Sequence, residues 1–386
     1  MPGVISISSK GAALLTITLA TFFTSAARAF PVPLLPFFEG EFGITHSVAA
    51  WIVAASSLSL MASIPMGYIS DRYGRKWIII LGMVLISIAT FISGFSRTAG
   101  QLIAFQFLLG IGSAAFIPSS SAIIGDIFPP AMRARAMSIT LIGVFSGIAA
   151  GFLMGGVLFS IIGWRATFFL LAVFIMAFAF VVMRVIEEPG KEHTPAGSQL
   201  SGGSNTIYLC TFILGMVGEG VRTMSPLYMA QYQIGNESIG IILAAMTVAS
   251  LIILPFAGWL ADKVGRKKPI IYGFLLSAPI ISSFSLVTSS YQFAVVLALL
   301  GAGVGLSFPA ASAYAQDASS KIRGAAMGTY HTSRVAGMTV SPVLGGMIAD
   351  RIGIGAAFNL YAFAALAGAF ITFTLLKENR QSQESI

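Results

Sequence analysis

Gly67-Tyr-Ile-Ser-Asp71-Arg72-Tyr-Gly74-Arg75-Lys76 separates two apolar runs, and Gly258-Trp-Leu-Ala-Asp262-Lys263-Val-Gly265-Arg266-Lys267-Lys268 does the same about half the chain later. One Gly-x-x-x-Asp-x-x-Gly-Arg-Lys is weak evidence; two, each leaving one apolar helix to enter another, indicate an internal duplication. In each copy the first Gly falls in the last turn of a helix, and the Asp one turn later, within reach of neighbouring helix ends. The second Gly lets the backbone reverse, and the cations that follow stay in water beside lipid headgroups. Charge alone would keep such a loop on one side of a membrane, but it would not require the same Asp and Gly spacing twice.

The surrounding composition calls for a bilayer. Of 386 residues 56% are hydrophobic and 9% charged, more apolar surface than a soluble domain of this size can bury. Apolar windows fall at 11–36, 47–69, 77–96, 101–124, 136–161, 165–184, 206–230, 238–260, 269–288, 291–314, 325–348 and 356–376. Each is long enough to cross roughly 30 Å of hydrocarbon. Twelve spans place both termini on one side, and most of the 22 Lys and Arg lie in the connections on that side, so the termini are expected in the cytoplasm. The net charge of +8 is thereby an orientation device, and no basic domain remains for nucleic acid. Cys210, the sole cysteine, sits in a span, which excludes a disulfide framework and a cysteine-based metal site. The first span is too long for a signal-peptide core and is read as retained.

Between the halves, residues 187–205 are polar and rich in Gly, Ser and Pro, the composition of a flexible cytoplasmic linker. The expected organisation is a six-helix half at 1–186, the linker, and a six-helix half at 206–386. Duplication shows again in Asp126…Arg133-Ala-Arg135-Ala-Met137 against Asp317…Arg323-Gly-Ala-Ala-Met327. It also shows in two stripes of small residues, Gly147, Gly151, Gly155 and Gly156 in span five, and Gly337, Ser341, Pro342, Gly345 and Gly346 in span eleven. A small residue every fourth position flattens one helix face for close approach of another backbone. The matched positions suggest contacts between the halves. Pro31, Pro33 and Pro36 should break the first span near its outer end.

The paired hairpins resemble the signature of the major facilitator superfamily between its second and third, and eighth and ninth, helices. That resemblance implies an all-α membrane protein of two pseudo-symmetric six-helix bundles, working by alternating access on a solute held between them. It also implies a cytoplasmic gate of Gly67, Asp71, Arg72, Gly74, Arg75 and Lys76 with Asp262, Gly265, Arg266 and Lys267, in which Asp71 and Asp262 are the latch carboxylates. Gly147 to Gly156 resemble the antiporter motif with Phe152 in place of its Pro, and Leu102…Gln106…Gly112 resembles the proton-associated motif with Gln106 in place of its Arg.

Charges inside spans are costly and normally face a cavity or partner. Four stand out: Arg28 in span one, Glu219 and Arg222 in span seven, and Arg334 in span eleven, with His331 beside the last. Glu219 and Arg334 lie roughly 15 to 20 Å deep, Arg28 and Arg222 roughly 25 Å. Glu219 and Arg222 share a helix face and can pair. A carboxylate that parts from a guanidinium takes up a proton more readily, so Glu219 is the candidate proton carrier, with His331 a weaker one. Three arginines against one carboxylate leave a positive surplus, which an organic anion held by Arg28, Arg222 and Arg334, with Gln106 and Tyr228 lining the site, would neutralise. A greasy drug site built from the many Phe and Met is the rival, and a non-transporting receptor of the same fold the third reading. No nucleophile–base pair, metal cluster or phosphate loop appears, so neither an enzyme nor a cofactor is expected. The expected partners are a small-molecule solute, a proton or counter-substrate, and membrane lipid, around a monomer in the inner or plasma membrane.

Overall fold

The computed structural model describes residues 7–188, 205–317 and 323–376. Most of the 187–205 linker and the 318–322 stretch therefore lie outside the described residues. Among those described there are helices and turns and no strand. The first helices are α1 (Ile7–Ala29), α2 (Leu35–Phe42), α3 (His46–Leu60), α4 (Ser63–Tyr73), α5 (Arg75–Ser93), α6 (Ala99–Ile127), α7 (Pro130–Leu153) and α8 (Phe159–Val185). After the linker come α9 (Asn205–Gln231), α10 (Asn236–Val264), α11 (Lys267–Ser282), α12 (Ser290–Asp317), α13 (Arg323–Ile352) and α14 (Ile354–Leu375).

Among the described residues nine stretches are long and apolar enough to cross a membrane, and the α3–α4 pair, bent by 43°, makes a tenth. The 51-residue stretch Arg135–Val185 carries two passes, which part at Gly163, whose φ of 79° only glycine adopts without strain. The 30-residue α13 is long enough to span but too polar to meet the apolar criterion. With α1 and α2 as one broken span, the described residues make twelve passes, as in an all-α membrane protein. The break falls at the prolines, where a single 3₁₀ turn, Val32–Leu34, joins the two helices. The second span ends later than its apolar window, at Tyr73 instead of 69, so Asp71 lies inside a helix. Large apolar side chains such as Ile252, Phe363 and Phe370 are exposed on helix faces, as lipid contact requires.

The described chain forms two compact units. One takes the chain up to Val32 and from Ala55 to the start of the linker; the other takes Pro33–Ala54 and everything from Asn205 onward. The boundary falls inside α3. In the first unit α5 crosses α6 at Gly82 and Gly112, where a Cβ on either would lie 2.7 Å from the other's carbonyl oxygen. Such seams replace the hydrophobic effect, which cannot drive helices together in lipid. Many hydroxyls bond within their own helices, as Thr21 to Ile17 O at 2.7 Å and Ser93 to Ala89 O at 2.7 Å.

For Gly147, Gly151, Gly337 and Gly345 the structure corrects the expectation of contacts between halves. Gly147 and Gly151 meet the carbonyls of Phe22 and Ala26 on α1, and Gly337 meets that of Phe212 on α9, each within its own unit. Gly345 faces the Tyr361 hydroxyl of α14, whereas Gly346 faces His46 and Ser47, residues of the 1–186 half. Gly155 and Gly156 are buried in a π turn, Met154–Leu158, and Pro342 lies inside α13. The physical reason is that a flat stripe binds the nearest backbone that can reach it, which for these four glycines is a helix of the same bundle.

These contacts predict a contrast on α13. A Cβ at Gly337 would strike Phe212 and Met216 backbone atoms, whereas one at Gly328 meets nothing within 4 Å. Gly337→Ala should lower the melting temperature of the detergent-solubilised protein, costing roughly 1–3 kcal/mol. Gly328→Ala should be neutral or stabilising by up to about 1 kcal/mol.

Candidate functional site: a charge cluster on α9 and α13

Small residues set the register of the site. Gly215 of α9 lies against the Arg334 carbonyl of α13, Gly337 against that of Phe212, and Ser341 Oγ donates to Met216 O at 2.5 Å. The Tyr361 hydroxyl of α14 donates to Ser341 O at 3.0 Å, tying a third helix to the seam. Side chains lean towards the N-terminus of their helix, so Glu219, one turn beyond Gly215, is carried back to the level of Arg334.

Glu219 is 4% exposed. Its Oε2 accepts from Arg222 Nη2 in an i,i+3 ion pair, while the buried Oε1 has no hydrogen-bond partner. Arg334 lies within electrostatic reach of Glu219, Arg222 and Tyr330. Its guanidinium carbon sits 4.6 Å from the centroid of the Phe308 ring on α12, a cation–π contact. Among the described residues it makes no hydrogen bond or ion pair. His331, on the same α13 face, is exposed and packs edge-on to Tyr330 at 5.3 Å; Tyr330 is buried with its hydroxyl unpartnered. The second unit thus gathers two guanidiniums, one carboxylate, an imidazole and a buried phenol. Glu219 Oε1 and the Tyr330 hydroxyl are among its buried polar atoms without a hydrogen-bond partner.

The other sequence candidates lie elsewhere. Tyr228, two to three turns along α9, is 8% exposed among Tyr232, Phe293 and Phe358, with its hydroxyl 3.1 Å from that of Tyr232. Arg28, partly buried in the last turn of α1, and Gln106, buried in α6 with Nε2 lacking a partner, belong to the first unit. Phe308, which no spacing or charge singled out, emerges only from the fold.

The paired hairpins are helix–glycine–helix turns. Gly74 has φ 105° and Gly265 φ 89°, and Arg75 and Lys76 already belong to α5. Asp71 pairs with Arg75 at 3.3 Å and Asp262 with Arg266, each one turn apart. Arg75 is the hub: it also pairs with Asp126 of α6 and donates to Ala122 O at 2.9 Å. Glu188, at the head of the linker, accepts the Arg75 and Lys76 amides at 2.7 and 3.0 Å, a carboxylate at the positive end of α5. In the second hairpin Lys267 donates to Phe373 O at 2.8 Å. Arg72 lies over the Tyr73 ring at 5.7 Å, and Gly67 has open space where a Cβ would stand. Lys76 over Trp77 and Lys263 over Trp259 set a cation and an indole together at both hairpins, the residue types of a headgroup interface.

Comparison with known proteins gives a consistent picture. The family model described as Major Facilitator Superfamily matches residues 17–203 and 207–385. Curated relatives include the multidrug resistance protein MdtG of Salmonella schwarzengrund and that of Salmonella typhi, each 27% identical, with 96% of this chain and 97% of the relative covered. Among solved structures, a bacterial homologue of the human lysosomal transporter Spinster, inward-facing and occupied, superposes with TM-score 0.81 over 95% of this chain and 97% of that one, at 17% identity. Its unoccupied inward-facing form gives 0.76.

Removing one member of a buried ion pair leaves the other uncompensated. Glu219→Ala should therefore destabilise the solubilised protein by roughly 3 kcal/mol, and Glu219→Ala with Arg222→Met should recover most of that loss, as measured by thermal unfolding of single and double variants.

Proposed function

Because the chain belongs to the Major Facilitator Superfamily over nearly its whole length, we propose that it is a multidrug efflux transporter driven by a proton gradient. It works by alternating access between the halves 1–186 and 206–386, with both termini in the cytoplasm of the inner or plasma membrane. The observation that carries the coupling is Glu219: a carboxylate in the middle of a span, one oxygen on Arg222 and the other unpartnered. Protonation would release Arg222 and deprotonation would restore the pair, so occupancy by a proton changes which charges the site presents. The printed function of the MdtG relatives supports drug-like solutes as the cargo. On the cytoplasmic face, Arg75 with Asp71, Asp126 and Glu188 forms the first-half gate, and Arg266 with Asp262 its second-half counterpart.

A second reading rests on Arg334. A guanidinium in mid-span that lies on Phe308 and makes no ion pair favours a solute carrying a carboxylate or phosphate beside an apolar body. On this reading Arg28 and Arg222 are its further cationic contacts.

Proteoliposomes with an imposed pH gradient separate these. Efflux of several drug classes by the parent protein, reduced at least about ten-fold in a well-folded Glu219→Gln, is the expected result. Gradient-driven efflux at the parental rate in Glu219→Gln removes Glu219 from the coupling. Movement of anionic but not neutral or cationic solutes, lost in Arg334→Gln, favours the second reading over the first.

A further inference from the structure

Threonines inside these helices share one habit. Thr21, Thr90, Thr247 and Thr339 each turn the hydroxyl back to the carbonyl four residues earlier, at 2.7 to 3.1 Å, which satisfies it without leaving the helix. Thr223 of α9 does not. It is fully buried, and among the described residues its Oγ1 has no hydrogen-bond partner. Four residues earlier, Glu219 Oε1 is likewise buried and without a partner. Residues four apart share a helix face, and this face is the one that Gly215 and Met216 turn to α13. A hydroxyl and a carboxylate oxygen thus stand one turn apart, neither bonded to the other.

Leaving both unmade is costly in a dry interior. Side chains at i and i+4, with Cβ atoms roughly 6 Å apart, can share one water, and two polar partners are enough to hold a buried water. The helix also loosens just beyond them. Pro226 brings no amide to the Arg222 carbonyl, which Ser225 Oγ reaches only at 3.5 Å. A proline gap of this kind is a place where water enters a membrane helix. In the proposed orientation α9 runs outward from the linker, so Thr223 and Pro226 lie on the outer side of Glu219.

We propose that Thr223 Oγ1 and Glu219 Oε1 hold a water between them, and that this water is the last carrier of the proton that reaches Glu219. The held water passes a proton to Oε1 and regains one from the water beyond it, so Glu219 gains one proton and nothing else changes charge. Thr223 keeps its own proton and acts as a positioning residue, fixing the water against the carboxylate. Around them, Arg222 occupies the other carboxylate oxygen, α13 brings Arg334, Tyr330 and His331, α14 brings Tyr361 against Gly220, and α12 brings the uncharged Phe308 ring. The inference rests on the reading of Glu219 as the coupling carboxylate and adds how it is served. Entry from the outer side suits a protein in which inward proton flow drives a solute outward.

Full-length protein in nanodiscs, taken rapidly from alkaline to acidic buffer, is followed by time-resolved infrared spectroscopy. The carboxyl band that rises in the parent and is missing in Glu219→Gln reports protonation of Glu219. In Thr223→Val, which keeps the shape and removes the hydroxyl, that band should rise at least about ten-fold more slowly; Thr223→Ala serves if the valine variant folds poorly. Thr223→Ser, which restores the hydroxyl, should respond at the parental rate. A water O–H band that shifts on exchange into heavy-oxygen water should be present in the parent and Thr223→Ser and absent from Thr223→Val. A parental rate in folded Thr223→Val overturns the relay and leaves Glu219 as the coupling carboxylate. Equal slowing in Thr223→Ser makes position 223 a packing site and overturns the relay as well. If Glu219→Gln removes no carboxyl band, Glu219 takes no proton, and the reading beneath the relay falls together with it.

Discussion

The seam between α9 and α13 is the contact on which the charge cluster depends. In lipid no hydrophobic force presses two helices together, so backbone must approach backbone. Gly215 and Gly337 allow it, each lying where a Cβ would collide with the carbonyl of the facing helix. That closeness fixes the axial register, and the register sets Glu219 and Arg334 at one level with Arg222 on the neighbouring turn. A one-turn slip would separate the carboxylate from Arg334 by about 5 Å more, leaving two cations mid-membrane with less compensation. Packing and electrostatics therefore select the same alignment. It also explains how α13 can cross the membrane despite a polarity that sets it apart from the other passes: its arginine is matched by groups on α9 and by the Phe308 ring.

Much of this was legible in the sequence, for a physical reason. The duplication is written in local spacings, and Gly74 and Gly265 adopt the positive φ that their positions between two helices require. The kink of the first span follows from Pro31, Pro33 and Pro36 acting on their own helix. The Glu219–Arg222 pair is likewise local, being an i,i+3 contact. What the sequence concealed is every contact whose partner is set by the fold. Arg75 pairs with Asp126, and Glu188 caps α5, although Glu188 reads as the start of a flexible linker. Phe308 is one of 30 Phe, with no local mark to distinguish it as the platform for Arg334. The glycine stripes were visible, but a stripe specifies only that some backbone comes close: Gly147, Gly151 and Gly337 meet helices of their own half, and Gly346 meets α3.

The two units share a way of packing and differ in what they place on it. In the first, Gly143, Gly147 and Gly151 of α7 meet Thr18, Phe22 and Ala26 of α1. In the second, α13 and α9, which occupy matching places in the repeat, meet through Gly337 and Gly215. Glycine at the crossing is a constraint of the scaffold, since any side chain there would push the backbones apart. The positions flanking it carry no such constraint. Along α1 they hold Thr21 and Thr24, whose hydroxyls are satisfied by their own helix; on α9 and α13 they hold Glu219, Arg222 and Arg334, whose charges can be satisfied only across helices or by something bound. A duplicated bundle could thus acquire a charged site in one copy while both retained the seam that holds them together.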